Sequence, residues 1–131
     1  MKRTVLIARA LLSLLGLALI VLGALFWSGR ALDLLPLHML LGMLFVVCLW
    51  VLAGIALAAR SSRGFVLVVL LWSLIVPALG MAQPQLMPGS LHWVIQSVHL
   101  LVGLIAMGLG HALARRIPQS ATPAGAAAEQ V

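Results

Sequence analysis

The sequence predicts an all-α membrane protein, a bundle of four transmembrane helices that run up and down. Three observations favour this fold class. First, 64% of the 131 residues are hydrophobic and only 8% are charged, against about 25% charged residues in soluble domains. Second, the apolar residues fall into four long stretches separated by short polar segments. Third, the basic residues lie in small clusters at the ends of those stretches, where they carry topology information.

The first predicted helix covers residues 5–27 and directly follows Lys2 and Arg3. At about 1.5 Å per residue it spans roughly 34 Å, which is enough to cross a bilayer. The apolar run is too long for the core of a signal peptide, and no small-residue cleavage site follows it, so we expect a retained helix. Arg9 on this helix either reaches the lipid head groups or points inward at a carboxylate.

The second predicted helix covers residues 34–59, and a short turn with two arginines follows it. Asp33 is a suitable N-cap for this helix, and Pro36 is tolerated in its first turn. The third predicted helix, at residues 65–80, is the shortest. Pro77 falls in its last turn, where a proline kinks or ends a helix.

The fourth predicted helix covers residues 91–114, with Ser90 as its N-cap. Residues 1–117 therefore form one transmembrane domain of four helices. The tail at 118–131 is rich in Ala, Pro and small polar residues and lacks the apolar surface to fold alone, so we expect it to be disordered and cytoplasmic.

The distribution of basic residues predicts the orientation of the helices. With four helices, the N-terminus, the 60–64 turn and the C-terminus share one side, and the other side carries only Arg30. An excess of Lys and Arg marks the cytoplasmic side, so we expect a multi-pass protein of the cytoplasmic (inner) membrane with both termini in the cytoplasm. The net charge of +6 then reflects topology in the lipid bilayer, and we expect no nucleic-acid partner. The basic side holds Lys2, Arg3, Arg9, Arg60, Arg63, Arg115 and Arg116.

The fourth helix carries the polar face that points to a function. Residues at alternating spacings of four and three share one side of a helix. On this helix that side is formed by His92, Gln96, His99, Gly103, Ala106 and Gly110. Ionisable residues at membrane depth are costly and usually face the interior of a bundle, where they mark function.

Two short patterns repeat on different helices. His38 and Gly42 on the second helix have the same spacing as His99 and Gly103 on the fourth. A haem held between helices needs an imidazole on each side of the iron and a gap for the flat macrocycle, which glycine provides. With these residues the chain resembles the membrane b-type cytochromes, four-helix bundles such as the cytochrome b561-like proteins and the halves of haem A synthase.

The resemblance implies one bis-His haem b between the second and fourth helices, near the outer side. His38 and His99 would ligate the iron, with Gly42 and Gly103 beside the ring. His92 is an alternative ligand or a partner of the haem propionates.

The depth of the histidines leaves the choice of ligands open. Counted back from the inner arginines, His38 is closer in depth to His92, and its pairing with His99 requires an offset of about 9 Å along straight helices. We keep both pairs, and the two glycines favour His38 with His99. Gln96 lies on the same face, and either it or a serine would satisfy His99 if that histidine were only structural.

Other ligands are also compatible with this region. Methionine thioethers together with imidazoles suit Cu(I), and a quinone pocket near His38 and His92 is a further alternative. The methionines concerned are Met39, Met43, Met81 and Met87. Paired-carboxylate chemistry is excluded, since Asp33 and Glu129 are the only carboxylic side chains.

Two functions from different classes follow from these observations. The first is a small integral-membrane b-type haem protein that transfers electrons between a quinol or a redox-protein partner and an acceptor on the outer side. The second is a non-catalytic accessory subunit or scaffold without a cofactor, with its histidines structural. The sequence does not decide whether the chain is an enzyme, or whether it forms a homo-oligomer or joins a larger membrane complex.

Overall fold

The computed structural model describes residues 2–117, and this part of the chain contains helices and no strand. It confirms the all-α class and the number of long helices. These are α1 (Lys2–Trp27), α2 (Leu35–Ala58), α3 (Arg63–Ala82) and α4 (His92–Arg116), with 3-10 turns at Leu32–Leu34 and Gln83–Gln85. The tail at 118–131, for which we expected disorder, lies outside the described residues.

The third helix extends two residues beyond each end of the predicted 65–80, and Pro77 lies inside α3 without ending it. A proline removes one backbone donor and need not end a helix whose neighbours hold it in place. Hydrogen bonds from Trp50 on α2 and from Trp72 on α3 tie this helix to both of its neighbours.

The two predicted N-caps are wrong. Leu34 precedes α2 and Leu91 precedes α4, and neither helix has a side-chain cap. Before α4, the backbone itself accepts the first free N–H groups, since His92 N–H donates to the Gly89 carbonyl at 3.1 Å and Val94 N–H donates to the Leu91 carbonyl at 3.0 Å. The Ser90 hydroxyl therefore has no cap role.

The helices run up and down, and α2 and α4 form the contacting diagonal. Each helix packs against the next, α1 also packs against α4, and α2 touches α4, whereas α1 and α3 make no direct contact. Contacts between α1 and α4 run in opposite directions, since Ser13 meets His111 and Gly16 meets Met107. Residues on α2 and α4 can therefore meet in the middle of the bundle.

The tightest packing lies where a glycine of α4 meets two leucines. A methyl group at Gly110 would lie 2.6 Å from the side chains of both Leu12 and Leu49. Leu12 and Leu49 are buried, together with Leu52 and Leu113. The absent side chain at Gly110 thus lets three helices approach each other at this level.

The outside of the bundle is apolar along its whole length. Exposed large hydrophobic side chains outnumber the buried ones on every helix, and Ser73 is the one fully buried polar residue in residues 3–117. All four helices are long and apolar enough to cross a membrane, with spans of 25, 27, 23 and 25 residues.

Candidate functional site

The structure brings His38 and His99 together between α2 and α4. Their ring centroids are 6.5 Å apart and the ring planes are inclined by 50°. The register of the two helices explains this contact. Leu49 lies 11 residues after His38, Gly110 lies 11 residues after His99, and Leu49 packs directly on Gly110. The two helices therefore run parallel and in step from one pair to the other.

This register corrects the depth estimate that placed His38 level with His92. The estimate assumed that Arg60 and Arg115 lie at the same depth. In the observed register Arg115 is level with Gly54, six residues before Arg60, a difference of about 9 Å along the helix. The guanidinium group of the neighbouring Arg116 lies 3.6 Å from the centre of the Phe65 ring, near the start of α3.

Both histidines of the pair lack a hydrogen bond at Nδ1. These two nitrogen atoms are buried, and neither has a partner among residues 2–117. If His99 were only structural, a serine would be expected to bond to it, but the two candidate serines bond to other groups. Ser73 accepts from the Trp50 indole at 2.8 Å, and Ser97 donates to the Trp93 carbonyl at 2.9 Å. A buried polar atom without a partner costs free energy, so neither imidazole is held in place by a hydrogen bond at Nδ1.

The other two helices enclose the pair. Phe26 near the end of α1 meets the His38 ring edge-on, with centroids 5.4 Å apart. On α3, a methyl group at Gly80 would lie 3.0 Å from Cε1 of His99. Gly80 is not among the predicted site residues, because in the sequence it only marks the end of the third predicted helix. The contact of Gly80 with the His99 ring arises only from the packing of α3 on α4.

The two glycines that follow the histidines leave open space. A methyl group at Gly42 or Gly103 would meet no atom within 4 Å. These glycines therefore do not serve the packing of one helix on another, in contrast to Gly110. A side chain at either position would meet no neighbouring helix near its Cβ.

The alternative ligand His92 makes its hydrogen bond outside the pair. Nδ1 of His92 lies 3.3 Å from the Leu86 carbonyl oxygen, so this ring is bound to the loop before α4. Gln96 is partly buried on the same helix. The four methionines considered as copper ligands are half or more exposed on the outside of the bundle: Met39, Met43, Met81 and Met87.

The chemistry of the pair favours a group that brings its own ligands. No cluster of three or more His, Cys, Asp or Glu side chains suited to a metal ion exists in the described part of the chain. Two imidazoles alone are too few for a typical zinc site, whereas a porphyrin supplies four nitrogens and needs only two from the protein. With metal–nitrogen distances of about 2 Å, the two ring centroids would lie roughly 6 Å apart, close to the observed spacing. The ring spacing therefore allows two axial imidazoles on one iron.

The fourth histidine has a different environment. Nε2 of His111 lies 3.1 Å from Oγ of Ser13, on the opposite end of the bundle from the pair. This contact is not visible in the sequence, because Ser13 lies 98 residues from His111 along the chain.

Comparison with known proteins adds no relative to this description. No protein-family model, no curated protein and no solved structure matches the chain.

Proposed function

We propose that this chain is a multi-pass membrane protein that holds one b-type haem between α2 and α4 and transfers electrons. The observation that carries the proposal is the convergence of His38 and His99, with rings 6.5 Å apart and both Nδ1 atoms without a hydrogen-bond partner.

The surface of the bundle supports the membrane placement. Soluble monomers rarely expose apolar patches larger than a few hundred Å², whereas here large apolar side chains are exposed along all four helices. Basic residues concentrate at the end that carries both termini, which favours a cytoplasmic (inner) membrane with that end in the cytoplasm. His38 and His99 then lie in the outer half.

Residues on three helices of the protein would hold the cofactor. His38 and His99 would ligate the iron, the open faces at Gly42 and Gly103 would admit the macrocycle, and Gly80 would hold the His99 ring in place. Bound in this way, haem supplies a one-electron redox centre.

The position of the pair favours exchange with a partner at the outer surface. His38 is the fourth residue of α2, so its backbone lies only about 5 Å along the axis from the start of the helix. His92 is the first residue of α4, near the same surface. A quinol or a redox protein that docks at this end would reach the site across a short distance.

The test is the optical spectrum of the full chain, purified in detergent from cells supplied with a haem precursor. After air oxidation and dithionite reduction, we expect a Soret band that sharpens and shifts, with a resolved α band. A featureless visible spectrum would overturn the proposal and favour the alternative of a non-catalytic accessory subunit or scaffold.

A further inference from the structure

A second polar site lies at the arginine-bearing end of the bundle, away from the histidine pair. It is an open groove of about 250 Å³ between α1 and α4. We call it the Arg9 groove. Its lining residues are Leu6, Arg9, Ala10, Ser13 and His111.

Hydrogen bonds fix the floor of the Arg9 groove. Oγ of Ser13 donates to the Arg9 carbonyl oxygen at 3.1 Å, and it lies 3.1 Å from Nε2 of His111. Because a hydroxyl has a single hydrogen, the arrangement that satisfies both contacts has the His111 Nε2–H donating to Ser13. The hydroxyl can rotate to donate to an incoming anion without breaking the contact from His111.

The charge of Arg9 is not neutralised within residues 2–117. Its Nε atom is buried and has no hydrogen-bond partner there. Asp33, the carboxylate of this part of the chain, lies beyond α1 at the opposite end of the bundle. Arg115 lies close enough for its positive charge to act on His111. The groove therefore combines a positive potential with donors that lack acceptors.

The depth of Arg9 makes an anionic partner favourable. Arg9 lies seven residues after the start of α1, about 10 Å along the helix axis. A guanidinium at this depth is costly unless it reaches water or pairs with an anion. A planar guanidinium binds two phosphate oxygens at once, and Leu6 and Ala10 provide an apolar wall beside it.

We propose that the Arg9 groove binds the phosphate of an anionic phospholipid from the cytoplasmic leaflet. Arg9 contacts the phosphate, Ser13 donates a hydrogen bond to it, and an acyl chain packs along Leu6 and Ala10. The site is separate from the histidine pair, so it depends on the membrane placement and not on haem.

The test is native mass spectrometry of the full chain in detergent with phosphatidylglycerol as the probe. Arg9→Gln is expected to lower the association constant for the lipid about tenfold, which is the effect of losing a charged hydrogen bond. The matched control is Arg63→Gln, which removes an exposed charge at the same end and is expected to change binding by less than about twofold. Equal losses in the two variants would show non-specific attraction and overturn the proposal.

Further arms identify the ligand. Arg9→Lys keeps the charge but loses the two-pronged contact with the phosphate. Its affinity for the lipid should therefore lie between those of the wild type and Arg9→Gln. If the glutamine variant purifies poorly, the comparison of Arg9→Lys with the wild type still tests the contact. Phosphatidylcholine should bind weakly, and equal retention of it would overturn the anionic preference. Displacement of the lipid by inorganic phosphate alone would assign the groove to a free phosphate and overturn the lipid assignment. The optical spectrum of Arg9→Gln should remain that of the wild type, so this test and the haem test fail independently.

Discussion

The two ends of the bundle hold histidines in opposite environments. At one end His38 and His99 face each other, and neither Nδ1 has a hydrogen-bond partner in the described chain. At the other end His111 meets the hydroxyl of Ser13, beside Arg9. Two imidazoles without competing donors suit a metal centre, whereas an imidazole among a hydroxyl and guanidinium groups suits an anion. The same residue type therefore lies in two environments that suit different ligands.

The largest expected effect separates the two ends directly. Replacement of His38 or His99 by Ala should abolish haem binding, because each removes one of the two protein ligands. His92→Ala and His111→Ala should keep the haem, since His92 contacts the Leu86 carbonyl and His111 contacts Ser13. The measurement is the reduced-minus-oxidised spectrum per mole of purified protein. Loss of haem in His92→Ala with retention in His99→Ala would contradict the assigned pair.

The next effect tests the open space beside the pair. Gly42→Leu or Gly103→Leu should strongly reduce haem content while leaving the apoprotein stable, because the new side chains meet no protein atom near Cβ. Replacing a helical glycine even raises helix propensity by up to about 1 kcal/mol. Gly54→Leu on α2 and Gly108→Leu on α4 are matched controls, as both glycines are exposed and uncrowded. Haem content is measured by the optical spectrum, and stability by thermal unfolding in detergent. Full haem content in both site variants would exclude the macrocycle from this space.

A smaller effect is expected at Gly80. Its alanine variant places a methyl group 3.0 Å from Cε1 of His99, so the ring must shift by a few tenths of an ångström. We expect a loss of about 1 kcal/mol, roughly fivefold in haem affinity, together with a shifted midpoint potential. Haem titration and potentiometry measure both quantities. An alanine variant identical to the wild type in both would show that α3 does not position His99.

The smallest expected effect lies between the two ends. Ser73→Ala removes the acceptor of the Trp50 indole N–H, whose donor–acceptor distance is 2.8 Å. The free energy of unfolding should fall by about 1 kcal/mol, with haem and lipid binding unchanged. Ser97→Ala is the control, because Ser97 bonds only within its own helix. A change in haem content in Ser73→Ala alone would mean that the middle of the bundle is coupled to the histidine pair.

The helices of this fold follow from local sequence, because long apolar runs and basic clusters mark them without reference to neighbours. The repeated spacing from His38 to Gly42 and from His99 to Gly103 favoured the pair whose rings lie 6.5 Å apart, while the pair of His38 with His92 stayed open. The depth estimate favoured His38 with His92 instead, because it assumed that Arg60 and Arg115 lie at the same depth. The register of α2 on α4 is set instead by the packing of Leu49 on Gly110, which is a tertiary contact.

Two features of the molecule can be seen only in the packed structure: the contact of Gly80 with His99, and the Arg9 groove. Gly80 touches His99 only because α3 continues through Pro77 and runs antiparallel to α4. The Arg9 groove joins residues from the two ends of the sequence, and its hydrogen bond links Ser13 to His111 across 98 positions. Neither contact has a periodicity or a motif that would indicate it in advance.

The most direct measurement is the number of haem groups per chain in the purified wild-type protein. Haem is determined as its pyridine complex and protein by amino-acid analysis. We expect one haem per chain, held by His38 and His99. A value of zero from cells supplied with a haem precursor would contradict the cytochrome proposal. A value of two would contradict the single site, since the second haem would have to use His92 or His111.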